Sequence, residues 1–540
     1  MKLSIFSILG LVLFASLTFA AHPKISHDID NLDPASTAEV IVQFQEVPTA
    51  VHHKKVTDRG GVYRSTLSLV KAGHYSIPVS ALTSLANDPD VVYISPNRPL
   101  GGLLDNTTAA VNAATAWSSN LTGAGIGVAV IDSGITTNSD LTSSTVVYNT
   151  SYVNNDFHDY YGHGTHVAGV IAGSGARSHC SQCFRNLQGI APGVTMINLR
   201  VLDQNGAGTD ANVISAIDQV ISLKSTYNIR VLNLSLGRPV YESYTQDPLC
   251  QAVEAAWKAG ITVVVAAGNY GRSNTAGNLG YGTITAPGND PYVITVGATN
   301  TVGTATRTDD KMTSYSSKGP SAIDHILKPD LVAPGNQVRS LYSSTASLPT
   351  SYPANNVLMS YFMNNAGNGV SDLYFNLSGT SMAAPVVSGA VALLLQAHPS
   401  LTPDQVKAVL MLTAWKGLPK TMTATDPMTG TVYTTQSDPF TVGAGYLDIA
   451  AALANTNTFT GTANSPVVTY NAATGVTGLT CSTTSICVGG TQSVWGAQSV
   501  WGAQSVWGAQ SVWGAQSVWG ASSTTSDSAE ATTIAINGEN

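Results

Sequence analysis

Four short segments of the chain carry residue types suited to acyl transfer. Gly127-Val-Ala-Val-Ile-Asp132-Ser-Gly134 is an apolar run that closes on a carboxylate. It predicts a buried strand with Asp132 at the carboxyl edge of a parallel sheet, where ligands bind. Gly162-His163-Gly164-Thr165-His166-Val167-Ala168-Gly169 predicts a helix that opens at His163, with small residues that let other backbones approach. Leu377-Ser378-Gly379-Thr380-Ser381-Met382-Ala383-Ala384-Pro385 leads directly into an apolar helical stretch. A serine there sees free backbone N–H groups and the positive end of a helix dipole, both of use to a developing oxyanion. Val263-Val-Val-Ala-Ala-Gly268-Asn269 reads as a strand ending in an amide side chain at the same sheet edge.

Each segment alone has a plainer reading. Any strand can end in Asp, Asn269 can be a turn residue, and Ser378 or Ser381 can be a helix cap. His163 and His166 invite a metal, but His-x-x-His lacks the Glu of a zinc-protease helix. His166 is therefore read as structural.

The elements that must hold these residues are legible as runs. Residues 126–131, 194–201, 230–235, 261–267 and 292–296 are continuous apolar stretches, as in strands buried on both faces of a parallel sheet. Val213, Ile214, Ile217, Val220 and Ile221 mark one helical face, and residues 248–259 and 386–396 also read as helices. The sum, over residues 105–454, is an open α/β fold, a mostly parallel sheet with helices on both faces. Before it, residues 38–97 form a small α+β unit, with strands expected at 38–45, 73–79 and 91–95 and helices at 62–71 and 80–87. Pro99-Leu100-Gly101-Gly102 between the two suits an exposed, cleavable linker.

The remaining segments set the compartment. Lys2 and the apolar run to Phe19 read as a removable signal peptide over residues 1–20, so the protein is expected to be secreted. No transmembrane segment is expected after it. After Asp448 no charged residue occurs until Asp527. Within this tail, taken as 455–540, Val-Trp-Gly-Ala occurs five times from Val494 to residue 521, linked by Gln-Ser. A six-residue period places every Trp on one face of an extended chain. That stripe suits cell wall or an insoluble polymer, or it is a low-complexity spacer. Across all 540 residues the net charge is -8 and charged residues make up 10%, without a basic run, which excludes a nucleic-acid footprint. Five cysteines leave disulfides accessory. Cys180 and Cys183 form either a small disulfide or half of a metal site beside His179, Cys481 and Cys487 are a second candidate pair, and Cys250, the odd one, could pair with either, so the connectivity is open.

Taken together, the four chemical segments resemble the subtilisin-like serine proteases, the subtilases. The order Asp132, His163, Ser381 is that of the subtilisins. The resemblance implies Ser381 as nucleophile, His163 as general base and acid, Asp132 as the group that fixes the imidazole, and Asn269 with the Ser381 N–H as oxyanion hole. It further implies that Gly206-Ala207-Gly208 and Ser235-Leu236-Gly237 pair with an extended polypeptide substrate. Ala266-Ala267-Gly268 and residues 285–288 would wall the pocket for the residue before the scissile bond. No carboxylate occupies these stretches, so an apolar or broad preference is expected there.

The unit 38–97 resembles the subtilase propeptide, an inhibitor and folding aid removed by self-cleavage, here near residues 96–104. No cofactor is needed for the chemistry. The family's structural Ca2+ is an open expectation: Asp140 corresponds to a ligand, but the loop 174–188, with Cys180 and Cys183, departs from the pattern. Two further readings are a catalytically silent adhesion protein working through the Trp repeats, and a selective proprotein-processing protease. The processing branch has acidic pockets and a β-rich following domain, and neither is evident here.

Overall fold

In the computed structural model, residues 22–26, 29, 32–96, 106–273, 278–367, 369–471, 476–480 and 533–540 are described. The expected signal peptide, the linker, Cys481, Cys487 and the Trp repeats lie outside them. The chain divides into two compact units, 1–101 and 102–540.

The first unit runs β1 (Thr37–Phe44), α1 (Ala50–Thr57), β2 (Val62–Leu67), β3 (Ala72–Pro78), α2 (Leu82–Ala86) and β4 (Val91–Pro96). The strands form an antiparallel sheet in the order β2-β3-β1-β4. Strict alternation along β1 buries Ala38, Val40, Val42 and Phe44. Residues 62–71, expected as a helix, are instead β2 and a short 3-10 turn at Ser68–Val70. Val62, Tyr63 and Thr66 are residues of strand propensity, and the Tyr63 ring packs against those of His53 and Tyr75 at the edge of the sheet. The helix missed from sequence, α1, hides its buried face in a polar stretch: His52 takes an apolar position, edge-on to Phe44 with centroids 5.0 Å apart.

The second unit begins with short helices α3 (Asn106–Ala110) and α4 (Ala113–Ser118) and builds an eight-stranded sheet. Its strands are β5 (Gly127–Asp132), β6 (Val146–Ser151), β7 (Thr195–Arg200), β8 (Ile229–Leu234), β9 (Thr262–Ala266), β10 (Ile294–Asn300), β11 (Lys311–Met312) and β12 (Leu331–Pro334). The order is β11-β10-β9-β8-β5-β7-β6, with β12 against β10. All pairs are parallel except β10 with β11. Strands β5 and β9 are buried along their whole length because helices cover both faces. Helix α5 (His163–Ala172) packs on α9 (Thr380–Ala397), and α6 (Asp210–Leu223) on α7 (Pro248–Lys258). Strand β8 touches both α6 and α9, and β9 both α7 and α9. Among the described residues α9 is the helix long and apolar enough to cross a membrane, yet its window is 83% buried in this core.

Between β12 and α9 a smaller sheet of β13 (Val338–Leu341), β14 (Asn356–Leu358) and β15 (Val370–Leu377) follows, with α8 (Ser347–Ser351) before β14. After α9 come α10 (Pro403–Thr413), a hairpin of β16 (Thr421–Thr425) and β17 (Val432–Gln436), α11 (Pro439–Val442) and α12 (Ile449–Leu453). Residue 454, expected as the end of this domain, is not an end of packing. Phe459, Ala463, Ile534 and Ile536 are buried in the same core. A hairpin of β18 (Val467–Asn471) and β19 (Val476–Thr480) joins it by a bridge from Ile326 to Val467.

Candidate active site

Parallel pairing sends the carboxyl ends of β5, β7, β8 and β9 to one edge, and every candidate residue stands there. Asp132 ends β5, Ser235 follows β8, Asn269 follows β9, His163 opens α5 and Ser381 is the second residue of α9. The chain order reverses around β5, which is where a doubly wound sheet opens a crevice.

His163 meets Asp132 directly. Its Nδ1 lies 2.7 Å from Asp132 Oδ1, a buried carboxylate oxygen that also accepts the Ser133 N–H at 2.7 Å. Burial works against charge on the His163 ring. The Asp132 charge and hydrogen bond, with the charge of Asp159, outweigh it and hold the imidazole above its usual value. The Gly-His-Gly sequence permits the approach: a Cβ on Gly164 would collide with the Gly134 carbonyl oxygen.

A residue that sequence reasoning missed sets the start of α5. Buried Asp159 accepts the N–H groups of Gly162 (2.7 Å), Tyr161 (3.1 Å) and Thr165 (2.8 Å) and the Ser133 hydroxyl (2.9 Å). Ser133 Oγ in turn accepts the Gly164 N–H at 2.9 Å. One carboxylate thus ties the first turn of α5 to the residue beside Asp132. A cap signal was present in the sequence as Asp159, four residues before His163.

His166 stands apart, as expected. It is fully buried, its Nε2 lies 3.1 Å from the carbonyls of Val338 and Phe375, and burial followed by the nearby His163 pulls its pKa down to about 3. It is a neutral brace between α5 and the β13–β15 sheet.

Ser381 sits where the first N–H groups of α9 have no partner within the helix. Its hydroxyl donates to the Ser235 carbonyl at 3.0 Å, and Ser235 Oγ donates back to the Ser381 carbonyl at 2.8 Å. Among the described residues no hydrogen bond joins Ser381 to His163. Asn269 is oriented by Thr380, whose N–H and hydroxyl donate to Asn269 Oδ1 at 2.9 and 3.0 Å. Gly379, at φ +137°, allows this: a Cβ there would fall 2.9 Å from Asn269 Nδ2. A hydroxyl, an imidazole–carboxylate pair and two N–H sources therefore face one cleft.

The cleft, about 380 Å³, is lined by His163, Ser381 and Asn269 and by Gly206, Gly208, Ser235, Leu236, Gly237, Ala266 and Gly268. Of the residues expected in its wall, Thr285 is there, but Ala207, Ala267, Ala286, Pro287 and Gly288 are not. Ala207 turns its backbone to Asp203, and Ala267 is buried in the sheet, bonded to Val296 and Thr285. Sequence reasoning also missed a charged pair in the cleft. Arg238 donates to both oxygens of Asp210 at 2.9 and 3.1 Å and to buried Asp247 at 2.9 Å. Arg238 is thus shared between Asp210 and Asp247, and Asp210 stands in an ion pair.

A structural cation does not fit at Asp140. Asp140 Oδ2 accepts the Tyr374 hydroxyl at 2.6 Å and Oδ1 the Arg177 N–H at 2.9 Å, so protons point at the carboxylate. A bound cation needs oxygen lone pairs there instead. Cys180 and Cys183 form a disulfide, not a thiolate pair, and among the described residues buried Cys250 joins no disulfide. Among the described residues no three His, Cys, Asp or Glu side chains gather as a metal site.

Comparison with known proteins matches residues 123–445 to the subtilase family model. Serine protease AprX of Bacillus subtilis (strain 168) is 37% identical over 357 residues, covering 64% of this chain and 75% of that one. Subtilisin E of the same organism is 30% identical over 384 residues, 69% of this chain and 84% of its own. Extracellular serine proteinase of Thermus sp. (strain Rt41A) is 30% identical over 350 residues, 62% of this chain and 68% of its own.

Proposed function

Since this chain belongs to the subtilase family and is a serine-type endopeptidase, we propose that Ser381 is its nucleophile. His163 is the general base and acid, Asp132 orients the imidazole, and Asn269 with the Ser381 N–H receives the oxyanion. Ser381 Oγ adds to the scissile carbonyl carbon while its proton passes to His163 Nε2. The C–N bond then breaks and the leaving amine takes that proton. Water hydrolyses the acyl-enzyme ester, giving a proton to His163 that returns to Ser381. The hydroxyl bonded to Ser235 must first turn about χ1 toward His163.

The observation that carries this reading is the 2.7 Å contact between His163 Nδ1 and a carboxylate buried at the sheet edge. It holds the Nδ1–H tautomer, leaves Nε2 to accept a proton and stabilises the imidazolium that forms. Substrates are extended polypeptides, with backbone pairing along residues 206–208 and 235–237. An apolar or broad preference before the scissile bond is supported by the small, uncharged wall of Ala266 and Gly268.

The first unit acts as a propeptide partner, removed by self-cleavage near residues 96–104. Its separate compact fold ahead of the catalytic unit supports this role. Export is supported by the apolar start of the chain and by a relative named extracellular. Gripping of cell wall or an insoluble polymer by the Trp repeats rests on their six-residue period alone.

The test is maturation and turnover of three purified proteins. The unaltered chain should lose about its first hundred residues and hydrolyse an unfolded protein. Ser381→Ala and His163→Ala should keep the first unit and lose at least about 10³-fold in turnover. Full processing and hydrolysis by purified Ser381→Ala would overturn the proposal.

A further inference from the structure

The residues that follow the Trp repeats return to the peptidase unit beside the nucleophile. In the segment 533–540 the carbonyl of Ala535 accepts the N–H of Ser378, three residues before Ser381, at 2.8 Å. Ala535 itself lines the cleft together with Tyr270, Thr380 and Ser381. Ile534 and Ile536, its neighbours on either side, are buried in the core of the unit. One small side chain is thus presented to the cleft between two large ones that grip the body.

Downstream residues fix this placement. The Glu539 backbone is bracketed by Asn336, which accepts its N–H at 3.0 Å and donates to its carbonyl at 2.8 Å, with Asn300 donating to the same carbonyl at 3.3 Å. Glu539 is only 1% exposed. Its carboxylate accepts the Ser314 N–H at 2.9 Å, the Ser314 hydroxyl, and Arg272 Nη2 at 3.0 Å. Asn540 then pairs its backbone with Thr425 at 3.0 and 3.1 Å in both directions. A buried carboxylate is costly unless its bonds are made, so this register is specified and a slip would strand the charge.

We propose that Ala535 is a specificity-determining residue of the substrate cleft, held in place by the Glu539 anchor. The segment after the repeats is then part of the substrate-binding surface. The inference rests on the endopeptidase reading of the same cleft. A methyl group at 535 leaves room that a larger side chain would occupy.

The experiment compares peptide-library cleavage by the full chain, by Ala535→Trp, and by a chain ending at residue 532. For Ala535→Trp, kcat/KM for bulky residues at a position next to the scissile bond should fall at least about tenfold relative to Gly or Ala there. The shortened chain should gain tolerance for bulky residues at the same position. A synthetic peptide of residues 533–540 should restore the original profile, and its Glu539→Ala form should not. Profiles of both variants that superimpose on the unaltered protein, while all three react with a fluorophosphonate, would overturn the inference alone. Failure of the unaltered protein to react at all would overturn the endopeptidase reading and this inference with it.

Discussion

Asn269 depends on Thr380 for its orientation, since both donors of that threonine hold the amide oxygen and turn Nδ2 toward Gly379. A donor fixed in this way helps only as charge develops on the substrate oxygen. Asn269→Leu should therefore lower kcat by about 10²–10³, the loss seen for such a donor in a subtilisin, with KM little changed. A raised KM at unchanged kcat would instead assign Asn269 to ground-state binding. The His163 imidazole adds a pH prediction. The proposed mechanism needs it neutral, and Asp132 with Asp159 raises its pKa above the ordinary 6.5 despite burial. Activity should thus be lost on acidification through a midpoint of kcat/KM above 6.5, the free-enzyme value. A midpoint at or below 6.5 would contradict the account. These residues were legible because each sits at the end of an apolar run, where strand or helix geometry fixes its edge. Asp159 was not legible in its role: its partners include Ser133 on a distant segment, and no local pattern announces that contact.

At the scale of elements, the start of α5 hangs on the four donors to Asp159. Asp159→Ala strands them in a buried turn, so urea unfolding should show a loss of about 3 kcal/mol or more, with activity falling too. A loss under about 1 kcal/mol would mean that the α5 turn is held by packing alone. The loop after α5 has partners within the protein: Asp140 takes the Tyr374 hydroxyl, and Cys180 is joined to Cys183. Excess EDTA should move Tm by less than about 1 °C, whereas Tyr374→Phe should cost about 1–3 kcal/mol by unpairing a buried carboxylate oxygen. A large EDTA shift would reinstate a structural cation. Parallel strands were readable as runs because burial on both faces leaves them uniformly apolar. The edge strand β2 was not, since none of its residues is fully buried and its spacing imitates a helix. The helix α1 was missed because His52 fills a core position that a hydrophobic pattern does not count.

The whole molecule couples segments far apart in sequence. Strand β5 pairs with β8 across Gly127 and Ile229, and the buried Arg272–Glu539 pair joins the body to the segment beyond the repeats. Such long-range parallel pairing folds slowly. The Ser381→Ala chain should therefore refold faster with its first unit than when started at residue 102, and equal rates would remove the folding role proposed for that unit. Composition marked everything after residue 454 as a tail, because charge disappears there. The contrary signals were local: Ile534-Ala-Ile536 and the return of Glu539, short of any run a periodicity search would register. The central claim, that Ser381 is the nucleophile of an intact subtilase site, is tested most directly by fluorophosphonate labelling with intact-mass and peptide mapping. One label per processed chain, on Ser381 and absent from Ser381→Ala, is the predicted result. A correctly processed chain that takes no label, or takes it on another serine, would contradict it.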